Sequence, residues 1–368
     1  MEKLRLGIIG TGGICNNKHL PSLKKVADKV EVVALCDLDE EKAKATAERH
    51  GLTNVAIYTD YKELMADKSI DIVHVCTPNV AHCQITVDAF EAGKHVLCEK
   101  PMAATSADAR KMIDAWKKSG KKFTVGYQNR YRYDVQVLKK ACEAGELGDI
   151  YYGEANAIRR KAVPTWGVFP DKSKQGGGPL IDIGTHALDI TLWCMNNYDV
   201  DSVSGQVFYK LGNLPSAAEG NTYGPWDTEH FEVEDSAMGF IKMKNGALIN
   251  LRASWALNIM DAREASTTLC GTLEGAEIKH GGSYPKSELW FNHTRHGKMT
   301  HETLSGEALV DYFDGVNEAP GVVEAKQWIN AILTDTEPCV KPEEAFRVTQ
   351  ILEAIYKASE TNTTIKFE

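Results

Sequence analysis

The 368-residue chain predicts an α/β protein of two domains, and three observations carry that expectation. Residues 1–127 alternate short, continuously apolar runs with helix-length segments; beyond residue 128 extended runs and a hairpin signal take over. The length also exceeds what one core ordinarily serves. The first part reads as a doubly wound parallel sheet, and residues 128–368 as an α+β domain with a large, mostly antiparallel sheet.

The expected strands of the first domain are "LRLGII" (4–9), "EVVALC" (31–36), "VAIY" (55–58), "DIVHVC" (71–76), "HVLCE" (95–99) and "KFTVGY" (122–127). Their apolar residues run on without alternation, as in strands buried on both faces of a parallel sheet. Helices fall between them. Residues 106–119 place Ala109, Met112, Ile113 and Trp116 on one stripe, start beside the cap candidates Thr105 and Ser106, and stop at Gly120; residues 81–92 stop at Gly93.

In the second domain, "DSAMGFIKMKNGALINLRASWAL" (235–257) sets Asn245-Gly246 between two extended runs, a hairpin signal. Its second arm alternates Ile249, Leu251, Ala253 and Trp255 with Asn250, Arg252 and Ser254. Further strands are expected at 150–160, 202–211, 266–272 and 287–293, and helices at 322–333 and 343–358. Two long polar stretches, 161–178 and 212–234, read as functional loops or oligomer contacts, because structureless connections of that length are uncommon.

A formal net charge of −9 argues against nucleic acid or an anionic membrane as partner, since both require concentrated Lys and Arg. The nine cysteines are scattered without a C-x-x-C, and several sit inside strand-like runs, where a free thiol acts as a small hydrophobe. A reducing cytoplasm is the expected setting. Neither a signal peptide nor a membrane span is legible.

"GIIGTGGICNNKHLP" (7–21) follows the first strand and opens a helix. Gly10 and Gly12 suit a tight turn that brings backbone N–H groups up to a pyrophosphate, with Gly13 and Ile14 beside them. The third glycine of G-x-G-x-x-G is replaced by Cys15, but Asp37 follows the second strand where an acid is expected to bond the adenine ribose. Such a carboxylate repels a 2′-phosphate, and Asp39, Glu40 and Glu41 add to the repulsion, so NAD is expected over NADP. The bland alternative is a glycine turn in an α/β protein that binds no nucleotide.

Ligands of doubly wound sheets bind beyond the carboxyl ends of the strands, which directs attention to Thr77, Pro78 and Asn79 after the fourth strand and to Glu99 and Lys100 after the fifth. Pro101 holds Lys100 extended, and a cis bond there would fix the direction of the amine. An ammonium can stabilise the alkoxide-like charge of a hydride transfer; a lone lysine is otherwise a surface residue. In "GGGPLIDIGTHALD" (176–189), Asp182, His186 and Asp189 recur at helical spacing on one face. That face could hold a proton shuttle, a metal or solvated polar groups. No second Cys/His cluster accompanies it, so no metal is expected.

"TPN" (77–79) with His82, "EKP" (99–101), "GYQNR" (126–130) and "GGGPLIDIGTH" (176–186), together with the glycine turn, resemble the Gfo/Idh/MocA oxidoreductases. The resemblance implies a Rossmann domain followed by an open-sheet domain, bound NAD, and homo-oligomers formed through that open sheet. It further implies a catalytic set of Lys100, Asp182 and His186, and cofactor contacts that include His82 and Asn129. His186 is the expected general base, since an imidazole near pKa ~6.5 can accept a hydroxyl proton at neutral pH. Asp182 would orient the substrate or the imidazole, and Lys100 would polarise the hydroxyl. The three glycines are expected to let the backbone approach sugar and nicotinamide.

Arg159, Arg160, Lys161 and Trp166 precede the glycine-rich motif and suit a polyhydroxylated ring, with Arg159 and Trp166 as substrate contacts. The resemblance narrows the substrate to a sugar, glycoside or inositol, and "RRKAVPTWGVF" looks most like members that oxidise a glucoside at C3. Rival readings are an NAD-dependent glycosidase, which would cleave glycoside without net NADH, and a non-catalytic NAD-responsive regulator.

Overall fold

The structure is a computed structural model that describes residues 3–303 and 318–368. The chain divides into two compact units, Met1–Tyr131 with Phe313–Phe346, and Arg132–Tyr312 with Arg347–Glu368.

The first unit holds six strands: β1 (Leu4–Ile9), β2 (Val30–Cys36), β3 (Ala56–Tyr58), β4 (Ile72–Val75), β5 (His95–Cys98) and β6 (Phe123–Val125). All pair in parallel, in the order β3-β2-β1-β4-β5-β6. That order reverses direction between β1 and β4, the point at which doubly wound sheets bind ligands. The expected strands and helices are present, with ends shifted by a residue or two. Helix Ser106–Ser119 is capped by the Thr105 side chain, which accepts from the Asp108 N–H, and it ends at Gly120 with φ of 65°.

The helix Pro320–Leu333 belongs to this first unit although it lies far downstream in the chain. Ala325, Trp328 and Ile329 are buried in one core with Leu6, Ile8, Ile72 and Leu97. The 3.6-residue pattern identifies such a helix but does not say which sheet its apolar stripe covers.

The second unit carries nine strands: β7 (Ile150–Ile158), β8 (Val200–Phe208), β9 (Ser236–Met243), β10 (Leu248–Ser254), β11 (Arg263–Gly271), β12 (Gly275–Gly281), β13 (Tyr284–Arg295), β14 (Lys298–Thr303) and β15 (Ile365–Lys366). Their order is β14-β13-β12-β11-β7-β10-β9-β8-β15, antiparallel except for the parallel pair β7 and β10. The hairpin turns at Asn245-Gly246, where Gly246 has φ of 92°. On one face Ala155, Ala157, Ile249, Leu251 and Ala253 are buried. The helix Thr185–Met195 packs on β7 and β11, so the sheet positions His186.

Candidate active site

In the first unit the glycine turn leaves β1 as the motif requires. Gly10 sits at φ of 91°, and a Cβ there would lie 2.5 Å from the Cys76 carbonyl oxygen, so no side chain fits. Gly12 faces open space: a Cβ there would meet nothing within 4 Å, and one on Gly13 only the Asn17 amide nitrogen at 3.9 Å. Ile14 begins the helical turn that runs through Cys15–His19 into Leu20–Leu23. The bare backbone at Gly12 and Gly13 leaves room for an anion at the start of the helix. Cys15 replaces the third glycine because its side chain is part of the core; burial pushes its thiol up to about 12.

Asp37 secures this turn. Its Oδ2 accepts from the Thr11 N–H and hydroxyl, both at 2.8 Å, and lies 3.1 Å from the Lys42 ammonium. Burial favours protonation, but the Thr11 donors, the Asp39 N–H and Lys42 outweigh it and hold the carboxyl below its ordinary range. A charged acceptor at the end of β2 suits a ribose hydroxyl. Lys42, on helix Glu40–His50, is a cation beside Asp37 that charge counting along the segment overlooks.

Thr77, Pro78 and Asn79 follow β4, and Glu99 and Lys100 follow β5, so both loops leave the carboxyl edge of the sheet. The Lys100–Pro101 peptide is cis. His82 is fully buried, with Nδ1 2.8 Å from the Pro101 carbonyl and Nε2 2.9 Å from that of Thr77, so its ring ties the two loops together. Burial holds its pKa below the ordinary value, against the pull of the two carbonyls. Asn129 lies in the turn Gln128–Tyr131 after β6, where Arg130 is anchored on Glu344 at 2.5 Å.

Glu99 turns inward. Its Oε1 contacts the Lys18 ammonium at 2.6 Å and His19 Nε2 at 2.7 Å, while Oε2 accepts from the Lys100 N–H at 3.2 Å. Lys18 also pairs with Glu324 at 2.7 Å, and His19 Nδ1 meets His74 Nδ1 at 3.0 Å. Burial acts to raise the Glu99 carboxyl, yet Lys18 and His19 draw it well below its usual range. Thus the residue before Lys100 is anchored by a buried ionic cluster. Nothing in the sequence flags it, because Lys18, His74 and Glu324 come from three separate stretches.

In the second unit Asp182 lies in a π-helical turn, Leu180–Gly184, that leads directly into helix Thr185–Met195; such wide turns recur at functional sites. Its Oδ2 accepts from the Trp255 indole N–H at 2.9 Å. His186 follows one turn later and is 9% exposed, whereas Asp189 is fully buried. Glu234 holds the start of this segment, accepting from Gly178 N–H at 2.9 Å, Leu180 N–H at 3.1 Å and the Tyr356 hydroxyl at 2.7 Å. Burial raises its carboxyl despite those donors.

Two of the three glycines make room for neighbouring protein atoms. A Cβ on Gly177 would lie 2.2 Å from the Tyr356 hydroxyl, and one on Gly178 2.3 Å from the Glu234 carbonyl oxygen, so the close approach is to protein atoms. Arg159 forks onto Glu264 at 2.7 and 2.9 Å and lies within electrostatic reach of Asp182. Arg160 and Trp166 are exposed. Among the described residues, no group of three His, Cys, Asp or Glu side chains is arranged to hold a metal ion, and no helix is long and apolar enough to cross a membrane.

A six-stranded sheet in this order, with a glycine turn after β1 and a charged acid at the end of β2, has the make-up of a dinucleotide-binding domain. The chain belongs to the Gfo/Idh/MocA oxidoreductase family: residues 4–127 match its NAD-binding Rossmann fold and residues 139–367 its C-terminal alpha/beta domain. It is 34% identical to D-glucoside 3-dehydrogenase of Escherichia coli K12, covering 99% of this chain and 97% of that protein. Inositol 2-dehydrogenase of Salmonella typhimurium LT2 is 32% identical over 52% of this chain and 55% of its own length. Among solved structures, levoglucosan dehydrogenase in complex with NADH superposes over the whole of both chains with a TM-score of 0.84 at 21% identity, a likeness of fold. The first domain of this chain binds NAD.

Proposed function

We propose that this enzyme oxidises a ring secondary alcohol of a sugar, glycoside or polyol, with C3 of a glucoside as the favoured position. The observation that carries the reading is the likeness to D-glucoside 3-dehydrogenase along nearly the whole of both chains. NAD, when bound, accepts the hydride from the carbinol carbon. Gly10, Gly12, Gly13 and Ile14 receive its pyrophosphate, Asp37 its adenine ribose, and the loops of Thr77–Asn79 and Glu99 flank its nicotinamide end. Asp37 selects NAD over NADP by charge.

Lys100 polarises the reacting hydroxyl and steadies the negative charge that develops on oxygen. His186 removes the hydroxyl proton as general base. Asp182, oriented by the Trp255 N–H, holds the substrate so that proton and hydride leave in concert with carbonyl formation. Arg159 and Trp166 contact the substrate. The first unit serves NAD, and the second serves substrate and assembly.

Lys100→Ala and His186→Ala test the assignment. Each is expected to bind NAD as the wild type does in a fluorescence titration, and more tightly than NADP, while turnover falls about 10²-fold or more. Unchanged turnover in either variant contradicts the role of the residue replaced.

A further inference from the structure

The two long loops of the second unit are zipped together. Asn221 accepts from the Val163 N–H at 2.9 Å and donates to the Val163 carbonyl at 3.0 Å; Thr222 donates its N–H and hydroxyl to the Lys161 carbonyl at 3.0 and 2.7 Å; Thr165 donates its hydroxyl to the Tyr223 carbonyl at 2.9 Å. This lattice fixes the Trp166 and Tyr223 rings edge to face, centroids 4.7 Å apart and planes at 86°. Yet both remain substantially exposed, Trp166 at 51% and Tyr223 at 44%. Large aromatic rings left in water but held rigidly are surfaces prepared for a partner, since ordering them in advance lowers the entropic cost of binding.

The aromatic series leads to the proposed site. Trp166 contacts Phe169 at 6.1 Å, Phe169 contacts Trp255 at 6.2 Å, and Trp255 donates to Asp182. Arg159, within electrostatic reach of both Asp182 and Tyr223, borders the same region. Phe169 thus touches both the exposed corner and the tryptophan that holds Asp182, which puts the corner one ring away from the proposed site.

We propose that Trp166 and Tyr223 form an aglycone subsite, which holds a six-membered ring linked through the glycosidic oxygen to the sugar being oxidised. The inference rests on the glucoside dehydrogenase reading and adds the part of the substrate beyond the glucosyl unit. The chemistry recognised is a flat C–H or π face, supplied by an aryl group or by a second pyranose.

The test compares kcat/KM, followed by NADH formation, for methyl β-D-glucoside, phenyl β-D-glucoside and cellobiose in wild type, Tyr223→Phe and Tyr223→Ala. The wild type is expected to prefer a ring-bearing substrate over the methyl glucoside. Tyr223→Ala should lower that preference at least fivefold, chiefly through KM, and Tyr223→Phe should retain it. A fall for the phenyl glucoside identifies an aryl partner, and a fall for cellobiose a sugar. If neither ratio changes in Tyr223→Ala, the subsite is refuted.

Should the wild type oxidise none of the three, the glucoside dehydrogenase reading fails by itself. Calorimetric titration of phenyl β-D-glucoside and cellobiose into the protein with NAD then still judges the corner. At least fivefold weaker binding of either ligand to Tyr223→Ala supports it, and equal binding of both overturns it.

Discussion

Gly10 and Gly12 look alike in the sequence and differ in what surrounds them. At Gly10 the positive φ and the Cys76 carbonyl forbid a side chain, so that glycine serves the fold. At Gly12 a methyl group meets no protein atom within 4 Å, so packing inside the protein does not require that glycine. Gly12→Ala is therefore expected to melt within a degree or two of wild type and to bind NAD at least tenfold more weakly, as read by calorimetry. Undiminished NAD affinity would place the pyrophosphate elsewhere. The glycine turn, Asp37 and Lys100 are legible in the sequence because strand ends and spacing locate them. Trp255, Glu234 and Tyr223 are not, since their roles arise from contacts made across long sequence separations.

Four elements meet over the buried charges of the first unit: the turn bearing Lys18 and His19, strand β4 bearing His74, strand β5 leading to Glu99, and the helix bearing Glu324. Burial, then the charges of His19 and Lys18, hold the His74 pKa well below its ordinary value of 6.5. A base with a depressed pKa stays neutral when folded while the unfolded chain takes up a proton, so stability is lost as pH falls below about 6.5. Glu99, also depressed, adds loss as pH falls below its ordinary 4.5; Glu324, raised by burial, opposes it. Urea unfolding at pH 7.5 and 5.5 should show a loss of about 1 kcal/mol from His74, a loss reduced in His74→Gln. An equal loss in that variant would show that His74 is not its source. Strand and helix positions are readable from hydrophobic period and caps, but the strands β12, β14 and β15 are not. β14 and β15 are the sheet's two edge strands, β15 is only two residues long, and β12 and β14 carry little apolar signal.

For the molecule as a whole, the first domain's strands are continuously apolar and alternate with helices, which is why a doubly wound parallel sheet can be read from residues 1–127. The association of helix Pro320–Leu333 with that domain cannot, because an apolar stripe names no partner. The proposed chemistry comes down to one glucoside carbon surrendering hydride to NAD. Methyl β-D-glucoside carrying deuterium at C3 tests this most directly, with mass spectrometry of the nucleotide and NMR of the sugar. The expected result is deuterium on the nicotinamide ring of the NADH formed, slower turnover than with the protiated substrate, and a 3-keto glucoside as product. Unlabelled NADH, or release of free sugar with no net NADH, would contradict it.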